Sequence, residues 1–227
     1  MAERICFISR PESFPIYEER AIEFEFFTGF ALQQKQKSIL SFHESIRKAD
    51  ASLNTLEVST KSTIPLGAAL SAFNLRFSTG DGQTYPLENI FQSSKVFEQG
   101  GPFRDLLNVE PKDARGDDRL KASGKLTHFE YGGQIWPLEP KSMFYDWIYI
   151  QALVAHTELA DAVMEYNTFT DIEFNHKKSI NCQARAAAIF VSLRKNDMLE
   201  KSLSDQRVFR EIYKVHENPQ QICMEGL

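Results

Sequence analysis

The 227-residue chain reads as an α+β protein, mainly helical, with a few short strands. Three observations predict this. Apolar and polar residues alternate near the start of the chain, with Ile22, Phe24 and Phe26 set against Glu23 and Glu25, which is the two-residue period of a half-buried strand. Longer segments with helical spacing of apolar residues dominate after residue 85. Glycine and proline clusters between these segments mark turns that keep the elements short.

In chain order, "RICFIS" at residues 4–9 is a short strand and "RAIEFEFFTGF" at 20–30 a second. A helix follows from about Leu32 to Lys48, with Leu40, Phe42, His43 and Ile46 as its apolar face. "LNTLEVSTKS" supplies a strand near 55–60, and "STGDGQTYP" at 78–86 is a hairpin or tight-loop signal. Pro86 is placed to open a helix, and Gly100-Gly101-Pro102 to stop it. Residues 104–141 are rich in loops. Ser142 is the expected N-cap of a helix reaching about Tyr166, with Met143, Trp147, Ile150 and Val154 as its buried stripe. "TFTDIEF" at 168–174 is extended, and Ser179–Leu199 is the last helix. Ala184, Ala186, Ala187 and Ala188 keep that helix slim enough for close packing. No internal repeat and no linker interrupts the chain.

Composition narrows the function. With 42% hydrophobic and 25% charged residues the chain can build a buried core. Phenylalanine is unusually frequent, 18 of 227 residues; many must be core, and a few can serve as stacking surfaces for a flat ligand. The net charge of −5 argues against nonspecific binding of nucleic acid through charge alone. The best local basic patch is "PKDARGDDRLKASGK" at 111–125, which Asp113, Asp117 and Asp118 dilute, so it is expected to be a solvated loop. Cys6, Cys182 and Cys223 are widely spaced and odd in number, against a disulfide framework or a zinc site. No secretory signal and no apolar run of about 20 residues is present, so the expected location is the cytoplasm, with no membrane partner. Dinucleotide, nucleotide-phosphate, zinc-protease and serine-hydrolase motifs are absent, and the five histidines lack metal-ligand spacing. No cofactor and no metal is expected.

One stretch, "YPLENIFQSSKVFEQGGPF" at 85–103, places Glu88, Gln92 and Lys95 within roughly 60° of one another on a helix turning about 100° per residue. Such a line is either a solvated edge or the rim of an active site. A second, "YNTFTDIEFNHKKSINCQARA" at 166–186, puts Asp171, Glu173 and Asn175 ahead of a helix and His176, Lys177 and Lys178 at its start. Cations at a helix N-terminus oppose the helix dipole, so either they point into water or a bound phosphate resolves the conflict. In "FYDWIYI" at 144–150, Trp147 is either core or a stacking platform.

These residues carry a resemblance. "LSAFNLRFSTGDGQTYPLENIFQSSKVF" at 70–97 is similar to the signature of the NADAR family, with Glu88, Phe91, Gln92 and Lys95 in the family's order. The pair Asp146-Trp147 and the acidic Asp171 also match. "FTDIEFN" and "KSINCQARA" resemble the subgroup of NADAR antitoxins paired with DNA ADP-ribosyltransferase toxins of the DarT type. Asn89 stands where the common pattern has histidine, and Phe174-Asn175 where other members have Trp-Gly. The resemblance implies a catalytic domain over 55–227 preceded by an N-terminal extension, 1–54, packed on it.

It also implies an ADP-ribosyl hydrolase that cleaves the N-glycosidic bond between ADP-ribose and the exocyclic amine of guanine. Its partners would be ADP-ribosylated guanine in DNA, single- or double-stranded, ADP-ribose as product, and the cognate toxin. Glu88 would protonate the leaving nitrogen and then activate water, and Lys95 would attack the opened sugar as a free amine. Asp171 would hold a ribose hydroxyl or assist Glu88. Gln92 shares their edge, and Asn175 and Lys178 lie near Asp171. Ser71 and Asn74 would bind ribose or phosphate, and Phe73 or Trp147 would stack on a base. Two other readings stand beside it: an N-glycosidase of a riboflavin-pathway intermediate, and a non-enzymatic antitoxin that binds its toxin.

Overall fold

The computed structural model describes residues 1–175 and 181–213. Its elements are helices and short strands of an α+β fold. A four-stranded sheet has the order β2-β1-β9-β3, built from β1 (Ala2–Ser9), β2 (Tyr17–Phe24), β3 (Thr55–Glu57) and β9 (Thr168–Thr170). β1 runs antiparallel to β2, with Ala2 opposite Phe24 and Ser9 opposite Tyr17. β9 lies between β1 and β3, antiparallel to the first and parallel to the second, with Phe169 opposite both Phe7 and Leu56.

The two-residue alternation decides which face each side chain joins. Cys6, Ile8, Ile22 and Phe24 meet α1 (Leu32–Ala49) through Ile39, Phe42 and Ile46. Phe7, Tyr17, Leu56 and Phe169 face the larger core on the other side. The α1 stripe is therefore Ser38, Ile39, Phe42 and Ile46, and Leu40 is 58% exposed rather than part of it. The second strand ends at Phe24. Phe26 lies past it, edge-on to Phe24 and beneath the cations of Arg4 and Lys35.

The larger core is built around two helices. α6 (Met143–Val154) is buried on nearly all sides, so it has no single stripe, and Val154 is its one exposed position. It stops short of Tyr166: His156 leaves helical geometry, and α7 (Thr157–Ala162) and a 3-10 turn (Val163–Glu165) follow. Ser142 precedes α6 with φ of 67° and no capping bond from its side chain. α8 (Gln183–Lys195) packs on α6 and on β1 and β9, and its alanines are fully buried. Asp146 and Arg185 join these two helices by a 3.2 Å ion pair, and the Tyr213 hydroxyl donates to Asp146 at 2.8 Å.

Two smaller sheets flank this core. β4 (Arg76–Ser78) and β5 (Thr84–Pro86) form the expected hairpin. β6 (Lys95–Phe97), β7 (Leu126–Tyr131) and β8 (Gln134–Trp136) form a three-stranded meander. Between β6 and β7 the chain folds as a 3-10 turn (Arg104–Asn108), α4 (Pro111–Gly116) and α5 (Arg119–Ala122). The segment expected as a solvated loop is thus two short helices, anchored by the fully buried Ala114. Among the described residues, no helix is long and apolar enough to cross a membrane.

Candidate active site

The helix that opens at Pro86 is shorter than its pattern suggests. α3 covers Leu87–Ser93, and Lys95 is the first residue of β6. The Ser93 and Ser94 hydroxyls both donate to the Ile90 carbonyl, which competes with continued helix. Lys95–Phe97 then pairs with β7, Lys95 opposite Phe129. Gly100 and Gly101 shape the turn after β6 rather than ending a helix. Gly101 has φ of +90°, and a Cβ there would stand 2.4 Å from the Lys95 carbonyl oxygen, so only glycine fits without displacing the Lys95 backbone.

Despite this change of element, the polar line survives. Gln92 Nε2 donates to Glu88 Oε1 at 2.8 Å, and Lys95 Nζ donates to Gln92 Oε1 at 2.7 Å. One amide thus joins the carboxylate to the amine. Lys95 also lies over the Phe91 ring, 4.6 Å from its centroid. Glu88 and Gln92 are buried and Lys95 partly so. Burial lowers the Lys95 pKa to about 8 against the opposing pull of Glu88, and the nearby Arg115 charge lowers it further.

These groups line a cavity of about 870 Å³, toward the upper end of the ~300–1,000 Å³ usual for small-ligand sites. Asp171, Ser71 and Phe73 line the same cavity. The segment carrying Ser71 is tied to the start of α3, because Glu88 N–H donates to the Ala72 carbonyl and Leu87 N–H to that of Leu75. The buried Ser71 hydroxyl has no hydrogen-bond partner among the described residues. A buried hydroxyl without a partner is costly, and a polar ligand in the cavity would satisfy it.

Asp171 enters from the end of β9. Its Oδ1 accepts the Glu173 N–H at 3.0 Å and its Oδ2 accepts Gln183 Nε2 at 3.0 Å. Gln183 turns its own oxygen to the Ala72 N–H at 2.8 Å, so one side chain links Asp171 to the Ser71 segment. Burial, reinforced by the neighbouring Glu57 charge, holds the Asp171 carboxyl above the usual carboxylate range. Glu57 is itself buried and accepts from Ser59 Oγ, Thr170 Oγ1 and the Ile172 N–H. His43 Nε2 lies 2.8 Å from the same Thr170 hydroxyl, so α1 reaches the framework behind Asp171.

Three expected residues stand elsewhere. Trp147 packs on Trp136 with ring centroids 4.7 Å apart and lines a separate, smaller cleft with Arg207. Asn74 turns its amide back to the Ala68 carbonyl at 2.8 Å. Asn175 follows Phe174, which lines the cavity, but is not among the described lining residues. Lys178, with His176 and Lys177, lies outside the described residues. Asp146 is committed to the ion pair in the core.

In sequence, Gln183 has no assigned role, Tyr145 reads as aromatic surface, and the cations of α4 and α5 read as a solvated loop. Tyr145 borders the cavity edge-on to Phe91, and Lys112, Arg115 and Lys121 line it as well. For Tyr145 the signal was its place next to the Asp-Trp pair. Gln183 lies within the family-like string at 178–186, but its role needs the Ala72 segment, which is 111 residues away in sequence. Among the described residues no cluster of His, Cys, Asp and Glu could hold a metal ion.

A buried carboxylate, a depressed amine and a bridging amide at the wall of one cavity suit acid–base and nucleophilic chemistry on a single carbon. No curated protein matches the chain. The family of DarT1-associated NADAR antitoxins matches residues 2–222, a span that includes β1, β2 and α1. With almost every residue covered, this chain belongs to the DarT1-associated NADAR antitoxin family.

Proposed function

We propose that the chain is a hydrolase that releases ADP-ribose from guanine bases of DNA, reversing the modification made by a DarT1 toxin. The observation that carries this reading is the Glu88–Gln92–Lys95 line on the wall of a cavity large enough for a dinucleotide-sized group.

The bond to be broken joins the anomeric carbon of ribose to the exocyclic nitrogen of guanine. Glu88 gives a proton to the leaving nitrogen and later takes one from the attacking water. Lys95, with a pKa of about 8, is roughly one-tenth neutral at pH 7. The ring opens as the bond from the anomeric carbon to the ring oxygen breaks, the oxygen taking a proton and the guanine nitrogen losing its own to form an imine, and the free amine of Lys95 adds to that imine carbon. Guanine departs with its amine protonated, leaving a lysine imine, and water then releases the aldehyde, which closes to ADP-ribose. Gln92 holds the two groups at one distance, so neither must be ordered during the reaction. Asp171 and Ser71 offer a protonated carboxyl and a free hydroxyl to ribose hydroxyls, and Phe73 offers a ring face to a base.

The test compares turnover of an ADP-ribosylated guanine oligonucleotide with turnover of a ribosylated riboflavin-pathway intermediate. Rapid release of ADP-ribose from the oligonucleotide, with the flavin intermediate inert, is the expected result. The reverse preference would assign the site to a small metabolite. A protein that cleaves neither substrate but neutralises the toxin would be a binding antitoxin.

A further inference from the structure

The acid–base chemistry leaves one wall of the cavity unused. Lys112 and Arg115 of α4 and Lys121 of α5 line it together with Glu88 and Lys95. In sequence, their acidic neighbours dilute them. In the structure the charges separate. Arg119 takes Asp105 and Asp117, with four hydrogen bonds to the pair, and stacks over Phe103. Asp118 is fully exposed and comes only within 4.0 Å of Lys121. Lys112 and Arg115 form no ion pair with any described residue.

The acidic side of the cavity does not cancel them. Glu173 is bridged to Lys35 at 3.1 Å. Asp171 sends little charge to the far wall, because burial and the neighbouring Glu57 charge favour its protonated form. A chain of net charge −5 therefore keeps uncompensated cations at its candidate active site.

The wall is also fixed to the catalytic helix. Asn89, next to Glu88 and fully buried, donates from its amide to the carbonyls of Leu106 and Val109, both at 2.7 Å. Those carbonyls end the segment that leads into α4. Asn89 thus holds α4 at a set distance from Glu88, while its own side chain stays out of the cavity. Lys112 and Arg115, on a held helix, facing a cavity and without an ion pair among the described residues, are the arrangement that receives phosphate oxygens, and Lys121 adds a cation whose acidic contact, Asp118, is at 4.0 Å.

We propose that Lys112, Arg115 and Lys121 form a phosphate-recognition wall, positioned against Glu88 by Asn89. The inference rests on the proposed function for its substrate, and it names the phosphate groups that the site holds. Two sources share this chemistry: the diphosphate of ADP-ribose and the phosphodiester backbone of the DNA strand.

The experiment uses the full chain and the triple substitution K112Q/R115Q/K121Q. These side chains are exposed, so the fold should persist, and K125Q, on the same stretch but outside the cavity, is the matched control for lost charge. Binding of ADP-ribose is measured by calorimetry and binding of an unmodified single-stranded oligonucleotide by fluorescence anisotropy at two salt concentrations. If the wall holds the diphosphate, ADP-ribose binding weakens at least ~100-fold, about what two lost charge-assisted bonds imply. If it holds the backbone, oligonucleotide binding and its salt dependence fall instead. Either loss, absent in K125Q, supports the wall. Unchanged binding of both probes, or no binding of either by the unsubstituted protein, overturns it. Failure of the unsubstituted protein to hydrolyse ADP-ribosylated DNA would remove the proposed activity and leave these binding results standing. N89A should lower affinity for the same probe, with the loss restored in N89Q only to the extent that both carbonyl contacts are regained.

Discussion

Lys95 donates a 2.7 Å hydrogen bond to Gln92 Oε1, although the two residues belong to different secondary-structure elements. The helix ends between them, and the strand that follows returns the lysine side chain to the helix. The amine is thereby held by a strand paired to β7, which is a stiffer support than the frayed last turn of a helix.

That amine should set the pH dependence of the reaction. Burial lowers the Lys95 pKa to about 8, so the nucleophilic form is lost as pH falls. Single-turnover rates should rise about tenfold per pH unit from 6 to 7 and level above 8. Borohydride added during turnover should leave a reduced adduct on Lys95, detectable by peptide mass spectrometry. K95R, which has no free amine, should give none. A flat rate between pH 6 and 8 with no adduct would mean direct attack by water.

The bridging amide should be sensitive to charge. Gln92→Leu keeps the volume and removes both hydrogen bonds, so turnover should fall ~10- to 100-fold with ADP-ribose affinity little changed. Gln92→Glu puts a carboxylate beside Lys95. An opposite charge favours the ammonium form, so the midpoint of the pH–rate curve should move upward. A midpoint unchanged in Q92E would show that Gln92 does not face the reacting amine.

Gln183 links Asp171 to the Ser71 segment, and its truncation should disturb both. Gln183→Ala leaves Asp171 Oδ2 and the Ala72 N–H without their partner, a cost of ~1–3 kcal/mol in stability for each group. KM should rise, because Ser71 and Asp171 are assigned to ribose. Thermal unfolding and steady-state kinetics on one preparation separate the two effects.

The Asp146–Arg185 pair should matter for folding alone. Arg185→Met leaves Asp146 buried with only the Tyr213 hydroxyl, and breaking such a pair costs ~3–5 kcal/mol. For a chain of this size the melting temperature should fall by roughly 10 °C. Below that temperature the pH–rate curve should keep its midpoint. A shifted midpoint would place Asp146 in the chemistry.

Much of this arrangement was legible in the chain. The alternation at Ile22 and Phe24 and the spacing of Phe42 and Ile46 reported the sheet and the helix covering it, because both are local patterns. Glu88, Gln92 and Lys95 were brought together by a helical rule that fails at Lys95, where pairing with Phe129 overrides the local pattern. A strand of three residues such as β6 is below the length at which periodicity can distinguish it from a last helical turn. Gln183 and Arg115 were not legible, because their roles depend on partners that only the folded chain brings near. The basic stretch at 111–125 misled for the same reason: composition averages Asp117 and Arg119 with Lys112 and Arg115, whereas the fold pairs the first two, with Asp105 joining from outside the stretch, and leaves the others at the cavity.

The most direct measurement is release of ADP-ribose from an ADP-ribosylated guanine oligonucleotide by the unsubstituted protein and by Glu88→Gln, followed by chromatography of both products. The unsubstituted protein should yield free ADP-ribose and intact guanine strand, and E88Q, while still binding ADP-ribose, should be slower by ~1,000-fold or more. Equal rates for the two proteins, or no release by either, would contradict a cavity organised around that carboxylate.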